Sequence, residues 1–470
     1  MPAVDGFLPP RRSTPFHSNC AWCALLCRAL PGLLLTLHGA SAIAAALAGG
    51  PMAGPATATR IGVWLMTDGP AQVQLEYWPQ GRPEEARRSA LVAVHPQRGH
   101  TARIDLDDLQ AATRYAYHVL LDGAVVKLGE LPAFTTAPAD PAAPRDLLIA
   151  TGSCSYVPDP PYEVTPESVG AGFKIFDALA ARHPDLMLWL GDSIYYRDED
   201  LASADHAAGR MHQRWATTRR LAPLQRLLRT GQHVAIWDDH DYGPNNSNRE
   251  FALKATALTL FQDYWANPSY GQPGVAGIFT QVPLGDVELF LLDDRYYRDD
   301  DASDAPGRTM LGTAQLQWLK GALRKSRATF KLIANGSRML TDRPSPENRG
   351  GEGWHNFPSE RDAFLMWLAT ERIDGVFFLS GDIHYTHLTR RERLGSYPLT
   401  ELTCSPLTSR VHPRPFPVRA VPGTLVTQRN FCTLEFSGPA GARRLRVAAW
   451  NADGKQLWQE DFPAAGLRTP

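Results

Sequence analysis

The chain has 470 residues, 44% hydrophobic and 21% charged, with a net charge of −1. The composition is that of a folded globular chain longer than one ordinary domain, which excludes a disordered or fibrous protein. A near-neutral balance provides no polyelectrolyte field, so nucleic acid and acidic membrane surfaces are excluded as main partners.

Arg11 and Arg12 precede an apolar stretch from Leu30 to Ala48 that ends in small residues. A basic start, an apolar middle and an Ala-x-Ala ending read as a secretory leader over residues 1–48, cut near Ala48. The paired arginines leave the general secretory and twin-arginine routes both open. Pro31, Gly32, His38 and Gly39 weigh against an uncleaved anchor. No second run of about 18 apolar residues follows, so no stable membrane span is expected in the mature chain. Cys154, Cys404 and Cys432 then remain in an oxidising compartment, one pair plus one thiol held for another purpose. Cys404 and Cys432 flank alternating apolar stretches that could pair as neighbouring strands, and a disulfide between them is expected.

Residues 51–59 read as a Pro/Ala/Gly/Thr linker. Over residues 60–137 short alternating runs (Ile61, Val63, Leu65; Val73, Leu75, Tyr77; Tyr115, Tyr117, Val119) are separated by turn signals, which predicts a small β-sandwich. A second linker, APADPAAP, precedes a catalytic domain over 146–470. There, apolar runs of strand length end in polar residues. Leu147–Ala150 runs into Gly-Ser-Cys154, Leu186–Leu190 into Gly-Asp192-Ser-Ile-Tyr195, and Val234–Trp237 into Asp238-Asp239-His240-Asp241. Leu289–Leu292 runs into Asp-Asp-Arg295, Leu332–Ala334 into Asn-Gly-Ser337, and Val376–Leu379 into Ser-Gly-Asp382-Ile-His384. Helical stripes lie between them, one at Phe173, Phe176, Leu179 and Ala180 and another at Leu316, Leu319 and Leu323. Near-continuous apolar strands imply burial on both faces, and ligands then bind beyond their carboxyl ends.

Asp192, Asp239 and Asp382 would converge on that crest, where unpaired acids repel and lose solvation, so a cation is the simplest occupant. Asp192, Asp239, Asn245 and Asp382 offer hard oxygens; Cys154, Tyr195 and His384 offer a thiolate, a phenolate and an imidazole. That mixture suits two different metals, and the thiolate with the phenolate favours ferric iron in one place. Two cations bridged by a carboxylate clamp a phosphoryl group for in-line attack. His240 is placed to give a proton to the leaving alkoxide, and Arg295 to bind phosphoryl oxygens. His387 reads as a supporting or surface residue, and Trp189, Trp215, Trp237, Trp265 and Trp318 as core.

At these residues the sequence resembles the PhoD-like alkaline phosphatase D family, within the calcineurin-like metallophosphoesterases. The motifs are GSCSY (152–156), LGDSIYY (190–196), WDDHDYGPNN (237–246), LLDDRYYR (291–298) and LSGDIHYTH (379–387), with a weaker match in GWHNFPSERD (353–362). The resemblance covers roughly residues 60–470 in order and makes 60–137 fibronectin type III-like. It implies a four-layer α/β/β/α catalytic domain. It implies ferric iron at Cys154, Asp192, Tyr195 and His384, with Asp192 bridging to calcium held by Asp382 and an Asn of the third motif, Asn245 or Asn246. Another divalent metal remains open in either place. Asp239-His240 stands where other metallophosphoesterases carry Asn-His, and Arg295 matches a phosphate-contacting arginine. One departure is the carboxyl-terminal alternation around Asp453-Gly454, where a family member carries a lid helix, which implies an open cleft. The expected function is an exported, monomeric phosphoesterase acting on small mono- or diesters. The rivals are a phosphodiesterase of phospholipase D-like specificity and an inactive secreted metal-binding or adhesion protein.

Overall fold

The structure, a computed structural model, describes residues 45–158, 173–342, 351–415 and 419–470. Two mixed sheets carry the site. The first has nine strands, in the order Gln456–Pro463, Arg444–Asn451, Asn430–Ser437, Leu147–Gly152, Leu186–Leu190, Gln232–Ile236, Leu47–Ala53, Ile61–Thr67 and Thr101–Leu106. The second has six: Thr280–Leu284, Val287–Leu291, Phe330–Ala334, Val376–Ser380, Leu399–Thr403 and His387–Arg391. The centres of both are parallel, Leu147–Gly152 with Leu186–Leu190 and Gln232–Ile236, and Val287–Leu291 with Phe330–Ala334, Val376–Ser380 and Leu399–Thr403.

The apolar runs become these central strands because they are buried on both sides; Leu186–Leu190, Val287–Leu291 and Val376–Ser380 expose no residue. The sheets face each other through Phe330 on Phe436 (5.1 Å) and Phe377 on Phe462 (5.3 Å). Helix Lys174–Ala180 packs with Ala222–Leu228 beside the nine-stranded sheet. Thr313–Lys325 and Pro358–Thr370 bury Leu319, Leu323, Phe364 and Leu368 in the same core. The tryptophans expected inside, Trp189, Trp215, Trp237 and Trp265, are fully enclosed, and Trp318 is partly so.

The amino-terminal region departs from the expected boundaries. Residues 51–56 are buried rather than a linker, and 51–53 belong to strand Leu47–Ala53. That strand pairs in parallel with Gln232–Ile236 and antiparallel with Ile61–Thr67. Three strands of the 60–137 neighbourhood therefore continue the nine-stranded sheet. Their far face closes a second apolar core, containing Val63, Leu65, Leu75, Tyr117 and Phe134, against a separate sheet built on Ala71–Pro79 and Arg114–Leu121. Small residues such as Ala53 and Gly54 read as linker from composition; the structure uses Gly54 for close packing, since an added Cβ would lie 2.2 Å from the Ala266 carbonyl. The expected leader lies outside the described residues except for Ala45–Ala48, of which Leu47 and Ala48 open the strand.

Cys404 and Cys432 are bonded, with Cα atoms 6.3 Å apart. They are not on neighbouring strands of one sheet, as the sequence suggested. Cys404 follows Leu399–Thr403 of the six-stranded sheet and Cys432 lies within Asn430–Ser437 of the nine-stranded one, so the bond staples the sheets together. Among the described residues no helix is long and apolar enough to cross a membrane.

Candidate metal centre

The strands of both sheets deliver their carboxyl-terminal loops to one crest. Cys154, Asp192, Asp382 and His384 all adopt left-handed backbone angles, with φ of 60°, 53°, 72° and 57°. Such angles cost a non-glycine residue about 1–2 kcal/mol and persist only where surroundings impose them. Close packing of the loops imposes them here. A Cβ on Gly381 would sit 2.6 Å from Ser153 Cβ, and one on Gly191 2.6 Å from Asp238 Cβ. The Gly-Asp signature thus reflects contact between loops as much as the turn itself.

Around Asp192 the donor atoms gather. Its Oδ2 lies 3.4 Å from Cys154 Sγ and 3.3 Å from the Tyr195 hydroxyl, which is 3.5 Å from His384 Nε2. Three successive contacts thus link Cys154, Asp192, Tyr195 and His384. Asp192 Oδ1 accepts the His240 backbone N–H at 3.2 Å, and Asp192, Asp239 and His240 offer ligand atoms within 4.8 Å of one another. Asp192 Oδ2 thus faces Cys154 and Tyr195, while its Oδ1 is turned to the Asp239–His240 loop.

The charge balance asks for a cation. Burial, then Asp239, Cys154, Asp241 and Asp382, push the Asp192 carboxyl well above the usual range. Burial pushes the Cys154 thiol up to about 12, against hydrogen bonds from Ser153 and Ser405 that favour the thiolate. Burial and Glu352 push Asp382 up to about 8. Asp239 goes the other way. Burial raises it, but His240, Arg295 and the Asn246 N–H outweigh burial and hold it below the usual carboxylate range. Burial, and then the electrostatic influence of His240 and Arg410, lowers His384 to about 4, which favours a neutral imidazole able to ligate. Buried acids whose ionisation is opposed mainly by burial and by one another, beside a histidine held towards its neutral form and a hydrogen-bonded thiol, fit a metal centre.

Two expected residues sit elsewhere. Asn245 is exposed, and the third motif reaches the site through the backbone N–H of Asn246, which donates to Asp239 Oδ2 at 2.7 Å. Arg295 is fully buried and its donors are taken. Nε bonds Asp238 Oδ1 (2.7 Å), Nη1 bonds Glu352 (2.8 Å) and the Ser247 carbonyl (3.2 Å), and Nη2 bonds Asp238, Glu352 and Ser337. The expectation that it grips phosphate is corrected: five N–H groups committed to protein acceptors leave none for a substrate. His387, expected as a supporting or surface residue, is buried, bonding Thr389 and stacked on Tyr385.

Sequence reasoning also missed organising residues. Asp241 accepts the backbone N–H groups of Ser193 (2.8 Å), Ile194 (3.2 Å) and Asp238 (3.2 Å), locking the Asp192 loop to the Asp239 loop. Its place in Asp-Asp-His-Asp was the available signal. Ser405 Oγ lies 3.0 Å from Cys154 Sγ and accepts from the His384 N–H at 3.1 Å, and nothing in the sequence flagged it. His240, partly exposed, lays its ring 4.2 Å from that of Tyr195 at the mouth of the cluster.

A family profile described as PhoD-like phosphatase matches residues 149–430, and one of a domain of unknown function (DUF7800) matches 44–137. Alkaline phosphatase D of Bacillus subtilis (strain 168) is 23% identical over 359 residues, which is 67% of this chain and 59% of that protein; the chain thus spans less than two thirds of this relative's length. A solved structure of PhoD superposes with a TM-score of 0.68 at 17% identity, covering 87% of this chain and 91% of its own. Purple acid phosphatase PPD1 of yellow lupin (Lupinus luteus) gives 0.60 at 11% identity, covering 89% and 74%. Both share the fold.

Proposed function

The chain belongs to the PhoD-like phosphatase family, and from that premise we propose that it is an exported metal-dependent hydrolase of phosphate mono- or diesters. The observation that carries the reading is Asp192, buried beside Cys154 and Tyr195 through one oxygen and grouped with Asp239 and His240, whose ligand atoms lie within 4.8 Å of its own. Cys154, Tyr195 and His384 would complete an iron place on one side. Asp239 and Asp382, with the Asn245–Asn246 turn, would complete a calcium or other divalent place on the other. Metal bound there supplies Lewis-acid polarisation of phosphoryl oxygens and acidifies water.

The chain's own groups do the rest. Asp239 and Asp192 fix the His240 backbone, and the partly exposed ring of His240 can hold a proton for the leaving alkoxide. Tyr195 limits its swing from one side. Asp241 keeps the two acid loops in register. Arg295 neutralises Asp238 and Glu352 behind the cluster. Export is supported by the leader pattern over 1–48 and by the disulfide, which persists in oxidising compartments.

Elemental analysis of purified protein paired with an ester panel tests the proposal. Metal bound with turnover of aryl mono- or diesters is the expected outcome. Metal-replete protein inert on every ester would sink the enzyme reading, and relative rates on the two ester types decide between a monoesterase and a diesterase.

A further inference from the structure

A second site lies at the opposite end of the same parallel strands. A cleft of about 470 Å³ opens between the strand Ala133–Thr135 and the residues that precede the catalytic strands. Arg145 stands before Leu147–Gly152, Asp185 before Leu186–Leu190, and Gln232 begins Gln232–Ile236. Strands of five residues rise about 3.3 Å per residue, so the cleft is roughly 15 Å from the candidate metal centre. Its volume is that of a small-molecule site.

The charge in this cleft is unbalanced. Arg114, Arg145, Arg226 and Arg229 line it against Glu130 and Asp185. Arg226 is accounted for by its place in the last turn of helix Ala222–Leu228 and by Asp177 at 3.8 Å. The other three have no carboxylate within ion-pair reach among the described residues. Arg229 spends only Nε, on the Gly50 carbonyl at 2.8 Å. Arg145 Nε is buried without any hydrogen-bond partner, and its stem lies over the Gly285 turn, where an added Cβ would come within 3.3 Å of Cγ. Asp185 is engaged by the Leu148 N–H at 2.8 Å. Burial works against the charge on Arg145 and on Arg229. Partly desolvated guanidinium groups facing one cavity are the donor set for a phosphate-type dianion, gripped by planar forks. Leu131, half exposed, and Pro132 give the cleft an apolar wall for an organic substituent.

We propose that this cleft binds a small organic phosphate or phosphonate dianion through Arg114, Arg145 and Arg229, separately from the metal centre.

Calorimetric titration of the full chain as purified with phenylphosphonate, which cannot be hydrolysed, tests this. Asp192→Asn should retain the cleft binding, so the result does not depend on the candidate metal centre. Arg145→Gln with Arg229→Gln should abolish it, since each lost charge-assisted contact weakens binding roughly tenfold or more. Inorganic phosphate should bind more weakly than phenylphosphonate for lack of the apolar contact. Arg114→Gln, at an exposed strand position that folding tolerates, should weaken binding roughly tenfold by itself. Binding unchanged in the double or the single arginine variant, or lost entirely in Asp192→Asn, would overturn the proposal.

Discussion

Asp192→Asn should move activity and metal-free stability in opposite directions. In the metal-free protein Asp192 is buried among Asp239, Cys154, Asp241 and Asp382, all of which oppose its ionisation. Two unit charges about 4 Å apart cost about 4 kcal/mol at an effective dielectric near 20, and uptake of a proton relieves part of this. The neutral amide should therefore stabilise chelator-treated protein by on the order of 1–3 kcal/mol. The asparagine oxygen can still accept the His240 N–H, so the loop geometry survives. With metal present, however, the carboxylate proposed to bridge the two metals loses its charge. The hydrolysis rate should fall about a thousandfold or more, equivalent to about 4 kcal/mol of transition-state stabilisation. Thermal unfolding with and without chelator, elemental analysis and initial rates on an aryl ester read all three quantities. A variant that keeps full metal content and a tenth of the rate, or that is less stable without metal, would refute the bridging assignment.

Arg295→Gln should destabilise the fold by about 3–5 kcal/mol, because it strands Asp238 and Glu352 as buried charges; a selective rise in KM at unchanged stability would restore the phosphate-gripping role. Exported protein cut near Ala48, and so without Cys20, Cys23 and Cys27, should show one free thiol when denatured and unreduced, and reduction should cost about 3–4 kcal/mol for the 28-residue separation of Cys404 and Cys432; three free thiols would contradict the bond. Burial and Arg219 lower His233 to about 3. The unfolded chain then binds the extra proton between pH about 6.5 and about 3, so stability is lost as pH falls through that window; unfolding midpoints of His233→Gln should lack this part of the acid slope, and an unchanged slope would reject it. Iron held by Cys154 and Tyr195 should colour the protein, with Tyr195→Phe and Cys154→Ser each shifting or bleaching the band; a colourless, fully active enzyme would exclude iron.

The catalytic strands were legible because burial on both faces leaves an apolar run with abrupt polar ends, as at Leu186–Leu190 before Gly191-Asp192. The carboxyl-terminal hairpin was legible for another reason, period-two alternation around Asp453-Gly454, and it forms as Arg444–Asn451 with Gln456–Pro463. Leu47–Ala53 was not legible: it has the composition of a leader's end and a linker, and only pairing with Ile61–Thr67 and with Gln232–Ile236 makes it a strand. Cys404–Cys432 was read as a pair correctly and placed wrongly, since alternation identifies a strand without saying which sheet receives it.

Arg295 shows where such reasoning stops. Following a buried strand puts a residue near the crest, but the direction of a long side chain depends on which acids lie behind it. Asp238 and Glu352, separated from Arg295 by 57 positions on either side, decide that direction. Cys154, Asp192 and Asp382 escape this ambiguity because their side chains are short and their backbones are held in left-handed turns. That hold comes from Gly191 against Asp238, Gly381 against Ser153, and Asp241 on the Ser193 and Ile194 N–H groups. Each of these contacts joins protein groups directly. The crest is therefore organised by the packing of its loops, and its acids meet a cation in a geometry whose backbone cost the fold already carries.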